Sequence, residues 1–219
     1  MSYFYDEDEE PNYRVQPYFI DNSWEDSICD GQDAFVNAYK KQGVLQMGVR
    51  GLYNREFLLK NKLFFVEKSI PWGEDEEWTP RIFFVAKRCA GSDKPYYFYR
   101  DKRIGSETSK MGNVNTANAM IETYMGWKDL VGNNDCKDSF AQTLLNEAGR
   151  RYVRCLIKYS RCLLYQDLRT FLKNASRNKT LLKNAKLSGR SALARMYFQI
   201  LGIRIGGYGI FLANKIIKR

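Results

Sequence analysis

At 219 residues, with 44% hydrophobic and 15% aromatic side chains, the chain has ample apolar content for a core and is too apolar for a disordered segment. It contains no histidine, which excludes Ser-His-Asp and Cys-His catalysis and every His-ligated metal site. The formal charge of +10 is uneven: residues 1–80 carry 16 acids and 8 bases, net −8, while residues 81–219 carry 9 acids and 27 bases, net +18, so the basic part is expected to face something anionic.

Tyr3-Phe4-Tyr5 predicts a short strand, followed at once by Asp6-Glu7-Asp8. Asp6 and Asp8, flanking one residue, have the spacing to chelate a divalent ion bridged to phosphates, whereas an acid-rich terminus without that role is simply solvated. Residues 1–50 show no glycine-rich strand-to-helix turn and no alternation of apolar strands with helices. Beyond Gly51-Leu52-Tyr53-Asn54-Arg55-Glu56-Phe57-Leu58, a strand is expected at Lys62-Leu63-Phe64-Phe65.

The stretch Pro71-Trp72-Gly73-Glu74-Asp75-Glu76-Glu77-Trp78 sets four consecutive carboxylates between two tryptophans, just ahead of the apolar run Ile82-Phe83-Phe84-Val85-Ala86. Acids at the start of a helix are favoured by its dipole and need no further role. Bulky aromatics beside carboxylates, however, desolvate them and raise a carboxyl pKa toward that of a working base. Asp75 is therefore the first catalytic candidate, with Glu74 beside it; Trp72 and Trp78 are candidate substrate-binding faces, since aromatics can stack on sugar rings, although core burial is the default for such side chains. Further on, the alternation in Tyr96-Tyr97-Phe98-Tyr99 predicts a strand with one buried face, running into Arg100-Asp101-Lys102-Arg103-Ile104-Gly105-Ser106.

The five cysteines form no C-x-x-C pair, are odd in number and follow no secretory signal, so they are expected to be reduced, buried thiols in a cytoplasmic protein. From Asp135 to Leu164 the spacing of Phe140, Leu144, Leu145, Ala148, Tyr152, Leu156 and Leu163 predicts a long amphipathic helix, with Arg150, Arg151, Arg154, Lys158 and Arg161 beside the stripe. A shorter amphipathic segment is expected over Tyr165–Lys173, and Asn174–Lys186 reads as a polar, lysine-rich connector. Ala192–Arg219 is the most hydrophobic part, interrupted by Arg204 and Gly206-Gly207. It is too broken for a membrane span but suited to an interfacial helix on an anionic membrane surface or to packing back on the domain. Bases without interleaved aromatics or a recognisable module argue against nucleic acid as the partner.

Four of these segments, in order, resemble glycosyltransferase family 2: the Leu52-Tyr53 to Leu58 motif, the Leu63-Phe64-Phe65 strand, the Gly73-Glu74-Asp75 acidic turn, and Tyr97 to Ser106. The resemblance covers roughly residues 1–110. It implies an inverting, hexosyltransferase-like transfer from a nucleotide-diphosphate sugar to a glycan or lipid-linked acceptor in surface polysaccharide assembly. Asp75 would be the base and Glu74 its neighbour, with Arg103 and Ser106 near the donor diphosphate and a divalent cation, Mn²⁺ or Mg²⁺, as cofactor.

Family members begin with a βαβ nucleotide-binding half carrying an Asp-x-Asp motif, and residues 1–50 do not supply it. The chain is therefore expected to be the acceptor-side portion of such an enzyme, without the N-terminal half. The expected fold is α/β, a partial GT-A-like domain over 1–110 followed by a mainly α-helical, basic extension over 111–219. The expected location is cytoplasmic, peripheral on the inner face of the cell membrane. The alternatives are a non-catalytic, truncated or split module needing a partner chain for donor binding, or a basic membrane-surface binding module.

Overall fold

The computed structural model describes residues 2–5, 14–16, 28–42, 51–66, 73–91, 97–100 and 112–217. Those residues are mainly helical. Among the described residues nine helices stand against three strands, β1 (Ser2–Tyr5), β2 (Arg14–Gln16) and β3 (Tyr97–Arg100). The strands make one small sheet in the order β2-β1-β3, with β1 antiparallel to β2 and parallel to β3.

This overturns the expected α/β, GT-A-like domain, because the described residues between β2 and β3 build three helices instead of further strands. Strands do form at Tyr3-Phe4-Tyr5 and at Tyr97. The strand expected at Lys62–Phe65 does not: Lys62 takes a positive φ of 52°, which ends α2 in a turn, and the carbonyls of Leu63 and Phe64 accept from side chains instead of a ladder.

The chain divides into two compact units. The first takes the described residues up to 66, then 74–91, 97–100 and 136–140; the second takes 73, 112–135 and 141–217.

In the first unit, α1 (Gly31–Gln42) opens on Asp30, whose carboxylate accepts the Asp33 N–H at 3.0 Å and caps the helix. The Lys137 ammonium reaches both Asp30 and Asp33, the latter at 2.7 Å. Phe35 is buried between Phe83 and Phe140, ring centroids 5.7 and 5.0 Å away, so the small Ala34 and Ala38 and this aromatic make the inner face of α1. The amphipathic pattern is short and rich in alanine, which is why α1 is not evident from periodicity. Cys29 and Cys89 exchange backbone hydrogen bonds at 3.1 and 2.8 Å beside it. Next, α2 (Arg55–Lys60) is capped at both ends by asparagine: Asn54 accepts the Phe57 N–H at 3.0 Å and the Asn61 amide donates to the Phe57 carbonyl at 2.8 Å. α3 (Glu74–Val85) follows, with all four acids in its first turn.

The second unit is a helical assembly of α4 (Val114–Gly132), most of α5 (Asp138–Cys162), α6 (Tyr165–Arg177), α7 (Thr180–Asn184), α8 (Gly189–Leu201) and α9 (Ile203–Ile217). α4 starts at Asn113, which accepts the Thr116 N–H at 2.9 Å. Along α5, Leu144, Ala148, Tyr152 and Leu156 are fully buried, the stripe that the spacing predicts. Its Tyr152 hydroxyl donates to the Ala175 carbonyl at 2.5 Å and Tyr159 meets Phe171, ring centroids 5.6 Å apart, which ties α5 to α6.

The connector expected over 174–186 is mostly helix, because Ala175, Leu181, Leu182 and Ala185 are buried at helical spacing between its lysines. The break in the apolar tail falls at Gly202, not at Arg204 or Gly206-Gly207. The cysteines are free, as expected, but only Cys155 is buried and Cys162 is exposed.

One charge in this unit is far from water. Glu147, on the α5 face between Leu144 and Ala148, is 1% exposed and is held by Arg150 and by Arg151, whose Nε donates to it at 2.6 Å. The Arg151 guanidinium also lies over Trp127, 5.7 Å from the ring centroid. A buried carboxylate stripped of its cations costs several kcal/mol. The double change Arg150→Ala with Arg151→Ala is expected to lower stability by about 3 kcal/mol in urea denaturation; a loss below about 0.5 kcal/mol, the range of a solvated pair, would mean Glu147 needs neither.

Candidate active site

The acidic segment is organised by the phase of α3. Asp75, Trp78, Thr79 and Ile82 are separated by three, four and seven residues and so share one face, while Glu74, Glu77 and Arg81 share another. Trp78, Thr79 and Ile82 are buried. Trp78, Ile82 and Leu63 form a small core with Tyr53, Phe57, Leu58 and Val85 packed against it. The indole N–H of Trp78 donates to the Leu63 carbonyl at 2.9 Å, and its ring lies 4.9 Å from Tyr53 and 4.8 Å from Phe65. On the outer face Arg81 pairs with Glu77 at 2.8 Å and donates to the Phe64 carbonyl at 2.7 Å, which fixes the other side of α3 to the same segment.

Asp75 lies at the N-terminal end of the buried stripe, and its carboxyl is partly drawn in from solvent there. Desolvation by burial pushes its pKa up from the ordinary carboxylate value to about 6, and the charges of Glu76 and Glu74 push the same way. The Glu76 N–H, donating to Asp75 Oδ1 at 2.8 Å, offsets part of the effect. Thr79 donates its hydroxyl to the Asp75 main-chain carbonyl at 2.7 Å, which steadies this turn without touching the carboxyl. The Tyr53 hydroxyl is raised by its own burial and then by the Asp75 charge, so it stays protonated at neutral pH. The result is a carboxyl group that is largely ionised at pH 7 yet far more basic than a surface aspartate, a general base by chemistry.

Of the sequence candidates, Glu74, Asp75 and Trp78 stand together on α3. Trp78 is 6% exposed with its N–H already bonded, so it serves the core that holds Asp75 and presents no open face to a ring. Trp72, Arg103, Ser106, Asp6 and Asp8 lie outside the described residues. Tyr53 is the residue that the sequence pattern missed, although it sits in the Gly51–Leu58 motif and an aromatic there was a signal. Among the described residues no group of three or more acids or cysteines could hold a metal ion. Burial pushes the Cys89 thiol up to about 11 and Cys155 to about 12, which leaves both inert as nucleophiles at neutral pH.

Comparison with family models, with curated proteins and with solved structures finds no match to this chain.

The raised Asp75 pKa has a consequence for stability. A carboxyl whose folded pKa, about 6, exceeds its unfolded value, 3.8, stabilises the fold when protonated, so the contribution is complete below about pH 4 and is lost as pH rises through about 6. Thermal unfolding between pH 4 and 7 should therefore show a descending contribution that Asp75→Asn removes; an unchanged slope in the variant would mean that Asp75 titrates as an ordinary surface acid.

Proposed function

We propose that this chain carries the acceptor-activating machinery of an inverting sugar transfer, with Asp75 as the general base. The observation that carries the reading is the Asp75 carboxyl itself, drawn in by the Trp78 stripe and raised to about 6 beside two further carboxylates. Above that pH it is ionised and able to accept the proton of an acceptor hydroxyl as that oxygen attacks the anomeric carbon of the donor sugar. The nucleoside diphosphate then leaves with the bonding pair, and the configuration inverts. Glu74, adjacent on α3, keeps the site anionic and so favours a protonated product state on Asp75.

The donor class rests on the resemblance of the 52–106 motifs to glycosyltransferase family 2, which assigns the departing diphosphate to Arg103 and Ser106. A guanidinium and a hydroxyl suit that task, since both form strong hydrogen bonds to phosphate oxygens. The acceptor in this reading is a glycan or a lipid-linked sugar. The divalent cation of the resemblance has no donor set among the described residues, and no step here passes through one.

A second reading is favoured by the sheet. Three short strands of mixed direction offer, among the described residues, no crevice at the carboxyl ends of parallel strands where a nucleotide is usually held. In that reading the chain supplies the base and a partner chain supplies the donor site. Titration with UDP- and GDP-sugars in Mn²⁺ or Mg²⁺ separates the two, since saturable binding to the chain alone requires a donor site of its own.

With a donor and acceptor in hand, kcat/KM should fall on the acid side with a midpoint near pH 6, and Asp75→Asn should lower it by about 10²- to 10⁴-fold while donor affinity stays within about twofold. Turnover retained in Asp75→Asn would remove the assignment.

A further inference from the structure

From residue 168 to the end the sequence holds twelve Lys and Arg and not one Asp or Glu. Within that acid-free segment α8 and α9 form a pair bent by 114° at Gly202, whose φ of 74° is open to glycine at little cost. The inner side of the pair is fastened. Phe198, Ile203, Gly206 and Gly207 are buried, and α9 approaches α6 so closely that a methyl group at 207 would stand 2.4 Å from the Leu172 side chain. The Tyr197 hydroxyl donates to the Gly206 carbonyl at 3.0 Å, and the Asn214 amide donates to the Arg161 carbonyl at 3.0 Å.

The outer side is the opposite of a soluble surface. Leu193, Met196 and Ile200, three and four residues apart, make an exposed stripe on α8, and Ile205, Leu212 and Ile216, seven and four apart, make another on α9. Ile200 and Ile216 are 76% and 73% exposed. Single exposed apolar residues are ordinary, but two complete stripes on adjoining helices mark a docking face. Tyr165, itself exposed, stacks beside Tyr208 and Phe211 at the edge of α9, the amphipathic aromatics suited to a lipid headgroup layer. At the bend opens a cleft of about 560 Å³ whose rim carries Lys179, Lys183 and Arg204 over Leu182, Phe198 and Ile203.

We propose that α8 and α9 lie in the interface of an anionic phospholipid bilayer, with the two outer stripes in the acyl boundary and lipid phosphates received by Lys179, Lys183 and Arg204 at the bend. Charge complementarity selects this occupant. A second copy docked on the same face would set one acid-free, twelve-base segment against another, a like-charge contact that costs several kcal/mol by its class. Aliphatic stripes, in turn, give nucleic-acid bases no stacking surface. With 13 and 15 residues, α8 and α9 reach about 20 and 23 Å, short of the roughly 30 Å of a hydrocarbon core, and the bend suits helices that lie along a surface.

The test is sedimentation of the full chain with phosphatidylcholine vesicles and with vesicles containing about 30% phosphatidylglycerol, at low and high salt. Binding is expected to be at least about tenfold tighter to the anionic vesicles and to weaken with salt. Ile200→Ser with Leu212→Ser, both exposed positions, should lose that binding with an unchanged circular dichroism spectrum, as should Lys179→Gln with Lys183→Gln. Three results would overturn the proposal: no preference for anionic vesicles, undiminished binding in both variants, or a lipid-free dimer in sedimentation velocity that the Ile200→Ser, Leu212→Ser variant converts to monomer.

Discussion

Burial of the Trp78 indole, with its N–H held by the Leu63 carbonyl, is the contact on which the candidate site depends. An indole N–H taken from water without an acceptor costs about 1–3 kcal/mol, so the phase of α3 is set by the need to aim position 78 at the turn that follows α2. Helical geometry then leaves no choice for Asp75. Three residues earlier on the same face, it must turn inward, while Glu77, itself largely covered, is paired with Arg81, which also holds the Phe64 carbonyl. One helix thus sets four consecutive carboxylates in its first turn and raises the pKa of one of them, Asp75, by desolvation.

The second unit solves a different electrostatic problem. Its core is built from Ile121, Tyr124 and Trp127 on α4 and from Leu, Tyr and Phe on α5 and α6, yet it admits Glu147 at full burial and compensates with two arginines from the same helix. Arg150 and Arg151, which sequence periodicity places simply beside the apolar stripe, are therefore internal counterions. After residue 167 the sequence has no acid to balance its twelve Lys and Arg. That distribution leaves the exposed apolar stripes of α8 and α9 inside an acid-free, basic segment.

Much of the helical part was legible in sequence because it obeys one period. The α5 stripe from Leu144 to Leu156 needs only the 3.6-residue repeat, and a raised Asp75 is expected from the bulky aromatics beside the acids. Where local pattern misled, a tertiary contact had overridden it. Leu63-Phe64-Phe65 has strand composition, but Trp78 and Arg81 take its carbonyls. The lysine-rich 174–186 stretch has loop composition, yet Leu181 and Leu182 need a buried face. The resemblance to an α/β transferase suggested a sheet, and the described residues between β2 and β3 instead satisfy their backbone groups within capped helices. Glu147 interrupts the apolar stripe with Arg150 and Arg151 at i+3 and i+4, a local pattern that reading the arginines as a solvated flank passes over.

The account stands on the environment of one carboxyl, and ¹³C NMR titration of the Asp75 side chain in the native protein reads that environment directly. A midpoint near 6 is expected, well above that of Asp30, whose carboxyl the hydrogen bond from Lys137 holds below the ordinary carboxylate value. A midpoint near 4 would show that the Trp78 stripe leaves Asp75 in water, and the assignment of a base to α3 would fall with it.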